Sequence, residues 1–141
     1  MASRHESRER ALQMLFLWDQ RKEAPDKVIA GYWGGLASED LPRRPLEDAF
    51  ANELLCGAVR RSQEADKLIA AHAEHWRLER MSAVDRNILR LAVFELLEGK
   101  TPAPVVIDEA LEIGRRFSGD EAVHFINGVL DAVRRSLEAV R

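Results

Sequence analysis

The chain has 141 residues, 46% of them hydrophobic, which predicts one domain over residues 1–141 with a core large enough to fold without disulfides or metals. The formal net charge of −3 excludes a protein that coats nucleic acid through bulk positive charge, so any such role needs a local basic patch. A single cysteine excludes an intrachain disulfide and a zinc site built from thiols. The sequence shows neither an apolar run of membrane-spanning length nor a signal peptide, which predicts a soluble, cytoplasmic protein with no membrane contact.

The first ten residues, MASRHESRER, mix arginines with glutamates. If a helix extends back into this segment, Arg4, Arg8 and Arg10 lie mostly on one side of it. Charge alone leaves two interpretations open: a basic contact surface, or a solvated and fraying helix start.

Apolar residues at helical spacing predict two helices in the first quarter of the chain. From Ala11 the apolar positions recur at i, i+3 and i+4, which predicts a first helix that ends near Arg21. Pro25 predicts the start of a second, shorter helix, and Gly34 with Gly35 predicts its end. The following stretch LASEDLPRRP contains two prolines and clustered charges, which predicts a mobile loop.

Two further helical patterns follow this loop. The third begins at Leu46, and a rise in polarity near Ser62 separates it from a fourth that can be continuous with it. Cys56 is predicted to be a small buried core residue. His72 and His75 are spaced i, i+3 without a third ligand, so we expect no metal site there.

The stretch SAVDRNILRLAVFELL predicts the central helix, because a helix that is apolar nearly all round must be enclosed by others. Ser82 and Asp85 are spaced as a capping pair at its start, and Gly99 marks its end. TPAPVVIDEALEIGRRF predicts a sixth helix. Ser118 and Glu121 have capping-box spacing before the last helix, which is the most regular amphipathic one.

No segment alternates apolar and polar residues long enough to build a sheet, so the predicted fold is all-α with about seven helices. The sequence contains no phosphate-binding glycine loop and no HExxH pair, so we expect no enzyme and no cofactor, but a small helical binding module. Phe117 and Phe125 flank the turn SGDE. They suit either the core or the stacking of single-stranded RNA bases, and the residues alone leave both interpretations open.

Three motifs carry a resemblance to a known family. In their order and spacing, RERALQMLFLWDQ, MSAVDRNILRLAVFELL and TPAPVVIDEALEIGRRFSGDEAVHFINGVLD resemble the bacterial transcription antitermination factor NusB. The resemblance runs from about Arg8 to Val133, and its second half is the more specific. It implies an all-helical fold of two packed subdomains and no catalysis.

The resemblance also implies partners. It implies that the chain pairs with NusE, a small-subunit ribosomal protein that doubles as an elongation factor, binds the boxA element of nascent RNA, and helps RNA polymerase pass terminators in ribosomal RNA operons. The arginine-rich segment with which the family contacts RNA corresponds to Arg4, Arg8 and Arg10. Glu6 and Glu9 depart from that pattern and lower the local positive charge, so we expect affinity to come mainly from the complex.

By the same matching, the RNA path of the family corresponds to Phe16 in the first helix and to Phe117, Glu121 and Phe125 around the late turn. Phe16 can stack on a base but cannot donate the hydrogen bond that a tyrosine would. Asp85 falls where the family faces NusE, although a helix cap by itself also accounts for this residue.

Two other functions stay open from the sequence. NusB-like domains also occur at the N-terminus of ribosomal RNA cytosine methyltransferases. That function requires a downstream domain with a cofactor fold and a nucleophilic cysteine, which we do not expect because the chain ends at Arg141. The second alternative is a dimeric interaction module without RNA contact, since some family members self-associate and can hide the basic segment.

Overall fold

The computed structural model describes residues 3–37, 47–73 and 78–140. Within these ranges all regular structure is helical, which confirms the all-α prediction with about seven helices. A short 3₁₀ turn, Leu78–Arg80, precedes the fifth helix. The helices are α1 (Arg4–Arg21), α2 (Pro25–Ala37), α3 (Ala49–Arg60), α4 (Ser62–His72), α5 (Ala83–Glu98), α6 (Ala103–Phe117) and α7 (Asp120–Val140).

The chain divides into two compact units, Met1–Val59 and Arg60–Arg141. This division agrees with the two helical subdomains that the family resemblance implies. None of the described helices is long and apolar enough to cross a membrane.

In the first unit, α1 extends back through the whole arginine segment. The Ser3 hydroxyl accepts a hydrogen bond from the Glu6 backbone N–H at 3.1 Å and so caps the helix start. The helix ends at Arg21, as predicted, and Lys22 follows in the left-handed conformation with φ 56°. Its buried apolar residues recur at helical spacing and form part of the core: Ala11, Leu12, Met14 and Leu15.

The predicted end of α2 is wrong. The helix begins at Pro25 as expected, but it continues through Gly34 and Gly35 to Ala37. Neither glycine has a positive φ, so each stays in the helix at a cost of about 1 kcal/mol relative to alanine. The predicted mobile loop, from residue 38 onward, lies outside the described residues, as does the predicted helix start at Leu46.

Helix α3 shows a second difference from the sequence prediction. Cys56 is half-buried rather than a core residue. The buried side chains of Ala51, Leu54, Leu55 and Ala58 follow the helical period and form one stripe of α3, and Cys56 lies outside that stripe. The third and fourth helices are separate, because α3 ends at Arg60 and α4 begins at Ser62.

In the second unit, α5 packs against α4, α6 and α7. Every residue from 87 to 96 is buried, which confirms the prediction of an enclosed central helix. Its start is capped by the Ser82 hydroxyl, and it ends at Gly99, whose φ of 70° is left-handed. The polar side of this helix is paired: the buried Arg90 donates to both carboxylate oxygens of Asp66, at 2.8 and 3.0 Å.

Helices α6 and α7 approach closely at Gly114, where an added Cβ would lie 3.3 Å from Ile126 Cδ1. The capping box predicted from Ser118 and Glu121 is wrong. Gly119, with φ 122°, precedes α7, which begins at Asp120, and the Ser118 hydroxyl donates to the Asp85 carboxylate instead.

Candidate nucleic-acid interface

The first candidate group is the basic segment of α1, where Arg4 occupies the first helical position. Its side chain is exposed, and its guanidinium carbon lies 3.8 Å from the centroid of the Phe50 ring. That distance is a van der Waals contact in the geometry of a cation–π pair. Phe50 was not among the predicted site residues.

Arg10 lies in a different environment, because it is engaged by acids. Its guanidinium is 3.2 Å from Asp48 Oδ2 and 3.9 Å from Glu6, and it stands over the Trp33 ring at 5.9 Å. About a third of the side chain, 30%, is exposed. Arg10 therefore reaches the surface with much of its charge already compensated.

Asp48 accepts hydrogen bonds from both α1 and α3. Its carboxylate accepts hydrogen bonds from the Ser7 hydroxyl at 2.7 Å and from the Ala51 backbone N–H at 3.0 Å, the second of which caps α3. Burial acts to raise the pKa of Asp48, but the bonds from Ser7, Ala51 and Arg10 outweigh it and hold the pKa below its ordinary value. The group is ionised at neutral pH and ties α1 to the start of α3.

Arg8 corrects the expectation that all three arginines lie at the surface. It is only 5% exposed. The reason is helical phase, since Ala11, Leu12 and Leu15, at i+3, i+4 and i+7, are all buried and lie on the same face. A buried guanidinium presents little surface to a phosphate, so Arg8 belongs to the interior of this segment.

The aromatic residues predicted for the interface are at least partly accessible. Phe16 is 38% exposed in α1, and Phe117 is 40% exposed at the end of α6. Phe125 is half-buried in α7, and Glu121 is exposed in its first turn. The Arg116 guanidinium lies 5.3 Å from the Phe117 ring centroid, so a positive charge accompanies this aromatic face. The structure thus favours a surface position for Phe117.

Asp85 lies in the first turn of α5, and its backbone N–H donates to Ser82 Oγ at 3.1 Å. Its carboxylate accepts from the Ser118 hydroxyl, which links the α6–α7 turn to the start of α5. Asp85, which was predicted to face a protein partner, is therefore hydrogen-bonded within the second unit to the turn that was predicted to face RNA.

Sequence reasoning missed three residues of these sites: Asp48, Phe50 and Ser118. A signal existed for Asp48, since an acid immediately before a helical apolar run is an N-cap pattern, but the helix start was placed too early. The contacts of Phe50 and Ser118 join residues far apart in the chain.

The two histidines considered as metal ligands are His72, which is half-buried, and His75, which lies outside the described residues. In the parts of the chain that the structure covers, no group of three potential ligands could hold a metal ion.

The fold and these side chains define a small all-helical module whose exposed aromatic and basic groups suit single-stranded RNA. The chain belongs to the NusB family, since the sequence model of that family matches residues 5–135.

Individual relatives agree with this assignment. The transcription antitermination protein NusB of Solibacter usitatus (strain Ellin6076) is 56% identical over 137 residues, which cover 97% of this chain and 92% of that protein. A structure of T. maritima NusB matches with a TM-score of 0.77 and 32% identity, over 95% of this chain and 92% of the other. A crystal structure of antitermination factors NusB and NusE in complex with double-stranded RNA matches with a TM-score of 0.77 and 29% identity, over 94% and 96% of the two chains.

The expectation that the chain is not an enzyme agrees with this assignment, because the named relatives are antitermination proteins.

Proposed function

We propose that this chain is a transcription antitermination factor that binds boxA RNA together with NusE and supports processive transcription of ribosomal RNA operons. The observation that carries the proposal is the likeness, at 29% identity over 94% of this chain, to the antitermination factor solved with NusE and double-stranded RNA. The RNA polymerase elongation complex is the assembly on which the pair acts.

The proposed RNA contacts share two properties, an aromatic or polar group and at least partial exposure. They lie in both units: Arg4, Arg10 and Phe16 in the first, and Phe117, Glu121 and Phe125 in the second. Aromatic faces accept stacked bases, arginines contact phosphates, and a carboxylate accepts hydrogen bonds from base edges. Arg8 is left out of the contact set because it is buried.

Asp85 is the proposed contact to NusE. Ser118 already donates to one of its carboxylate oxygens, and a carboxylate has further acceptor sites for a donor from a partner. Ser118 therefore supports the orientation in which the carboxylate meets that partner.

Fluorescence anisotropy with labelled boxA RNA tests the proposal at low salt, with this protein alone, with NusE alone and with both. We expect the mixture to bind boxA RNA more tightly than either protein, and more tightly than it binds an RNA in which the boxA bases are permuted. If the mixture fails to retain boxA RNA at low salt, the proposal is abandoned.

Sedimentation under the same conditions addresses self-association. A dimer that neither NusE nor boxA RNA perturbs would favour the interaction module without RNA contact.

Transcription by RNA polymerase through a terminator placed after boxA tests the effect on the polymerase. We expect greater read-through of that terminator in the presence of both proteins.

A further inference from the structure

The three arginines of the basic segment differ in how far their charge is compensated. Arg8 is buried, and Arg10 is paired with Asp48 and lies near Glu6. Arg4 is exposed, and among the residues that the structure describes it forms no ion pair; its contact is with the Phe50 ring. Of the three, Arg4 therefore has the guanidinium whose full charge is available to an incoming phosphate.

The position of Arg4 is not explained by helix stability. A cation in the first turn opposes the positive end of the helix dipole, so a stabilising choice at this position would be neutral or acidic. The Phe50 ring offsets part of this effect by attracting the guanidinium to its face. Locally unfavourable residues that are supported from elsewhere in a fold are typical of binding sites.

We propose that Arg4 and Phe50 form one RNA-contacting unit, the Arg4–Phe50 platform, which holds a single-stranded nucleotide. The ring supports the guanidinium from one side at 3.8 Å. The outer side of the guanidinium is left for a stacked base, and its N–H groups for the phosphate of that nucleotide. Phe50 acts through Arg4 and is a positioning residue. Arg10, whose charge is partly compensated by Asp48, contributes less to phosphate binding than Arg4.

The proposal rests on the function proposed above and makes it specific to one arginine. It is tested by binding of boxA RNA to the full chain with NusE, over a salt series from about 50 to 200 mM, because the slope of log K against log salt reports the number of phosphates neutralised. The variants are Arg4→Gln, Phe50→Leu, their combination, and Arg10→Gln. Arg21→Gln is the matched control, since Arg21 is an exposed arginine at the other end of the same helix.

Arg4→Gln is expected to weaken binding about tenfold at low salt and to reduce the slope by about 0.7, the value for one contact to a single strand. Phe50→Leu keeps the charge, so it should weaken binding about threefold with little change in slope. The combination should be no weaker than Arg4→Gln alone, because the ring acts through the guanidinium. Arg10→Gln should change the slope less than Arg4→Gln, and Arg21→Gln should leave it unaltered.

Three results would overturn the proposal: Arg4→Gln behaving like the Arg21→Gln control, additive losses in the combined variant, or a larger change in slope for Arg10→Gln than for Arg4→Gln. In each of these the unaltered chain still binds boxA RNA, so the proposed function stands. Absence of RNA binding by the unaltered chain with NusE would overturn both. Thermal unfolding of each variant, expected to change little for Arg4→Gln, separates loss of contact from loss of fold.

Discussion

Replacing Asp48 by alanine removes three interactions from one largely buried carboxylate, whose side chain is 8% exposed. Loss of the α3 cap costs about 1 kcal/mol, and loss of the acceptor for Ser7 about another 1 kcal/mol. The pair with Arg10 contributes about 0.5 kcal/mol, because 30% of that arginine is exposed and water screens the attraction. We expect Asp48→Ala to lower the free energy of unfolding by about 2–3 kcal/mol.

Asparagine separates the α3 cap from the other interactions of Asp48. Asp48→Asn keeps Oδ1, which caps α3, but replaces Oδ2, the acceptor for Ser7 and Arg10, by an NH2 group, so it should cost about 1.5 kcal/mol. Urea unfolding, followed by circular dichroism and by tryptophan fluorescence, measures both variants. Trp33 is a suitable probe because its indole N–H donates to Asn52 at 2.9 Å, within the same unit. Equal losses for the two variants would refute the capping argument.

The lowered pKa of Asp48 also predicts how the free energy of unfolding depends on pH in the unaltered protein, compared with Asp48→Asn. A carboxyl whose pKa is lower in the folded than in the unfolded state contributes stability above its unfolded pKa, and that stability is lost as pH falls through the folded pKa. The stability advantage over Asp48→Asn should therefore be constant near neutral pH and should shrink once pH falls below the ordinary value of 3.8. An advantage that grows toward acid pH would contradict this account.

Three further outcomes are expected from single substitutions in the second unit. Leu91→Ala opens a cavity in the central helix, where Leu91 is 4% exposed, and should lower the free energy of unfolding by about 2–5 kcal/mol in urea; a loss below about 1 kcal/mol would mean that this helix is not enclosed. Gly114→Val forces α6 away from Ile126 and should cost about 1–3 kcal/mol by the same assay, whereas an unchanged midpoint would show that the close approach is dispensable. Ser118→Ala removes the hydrogen bond to Asp85. It should weaken NusE binding about threefold by calorimetry, as expected for one exposed hydrogen bond of roughly 0.7 kcal/mol. An equal loss of NusE binding on an Asp85→Asn background would show that Ser118 acts independently of Asp85.

Local chemical signals account for the parts of the fold that were predicted well. Ser82 and Gly99 mark the two ends of the central helix. Both could be predicted because a side-chain cap and a left-handed glycine act within a few residues of the backbone groups that they satisfy. The glycines of α2 misled the prediction for the same local reason. A glycine weakens a helix by about 1 kcal/mol, and the rest of the structure decides whether that ends it.

The sequence by itself determined the helical class, most helix boundaries, the enclosed central helix and, through its motifs, the NusB family. Only the tertiary structure decided which charged and aromatic groups are available. It paired Arg10 with Asp48, set Arg4 against Phe50 and bonded Ser118 to Asp85. These contacts join residues tens of positions apart, and periodicity along one helix contains no information about what a distant segment brings to its face.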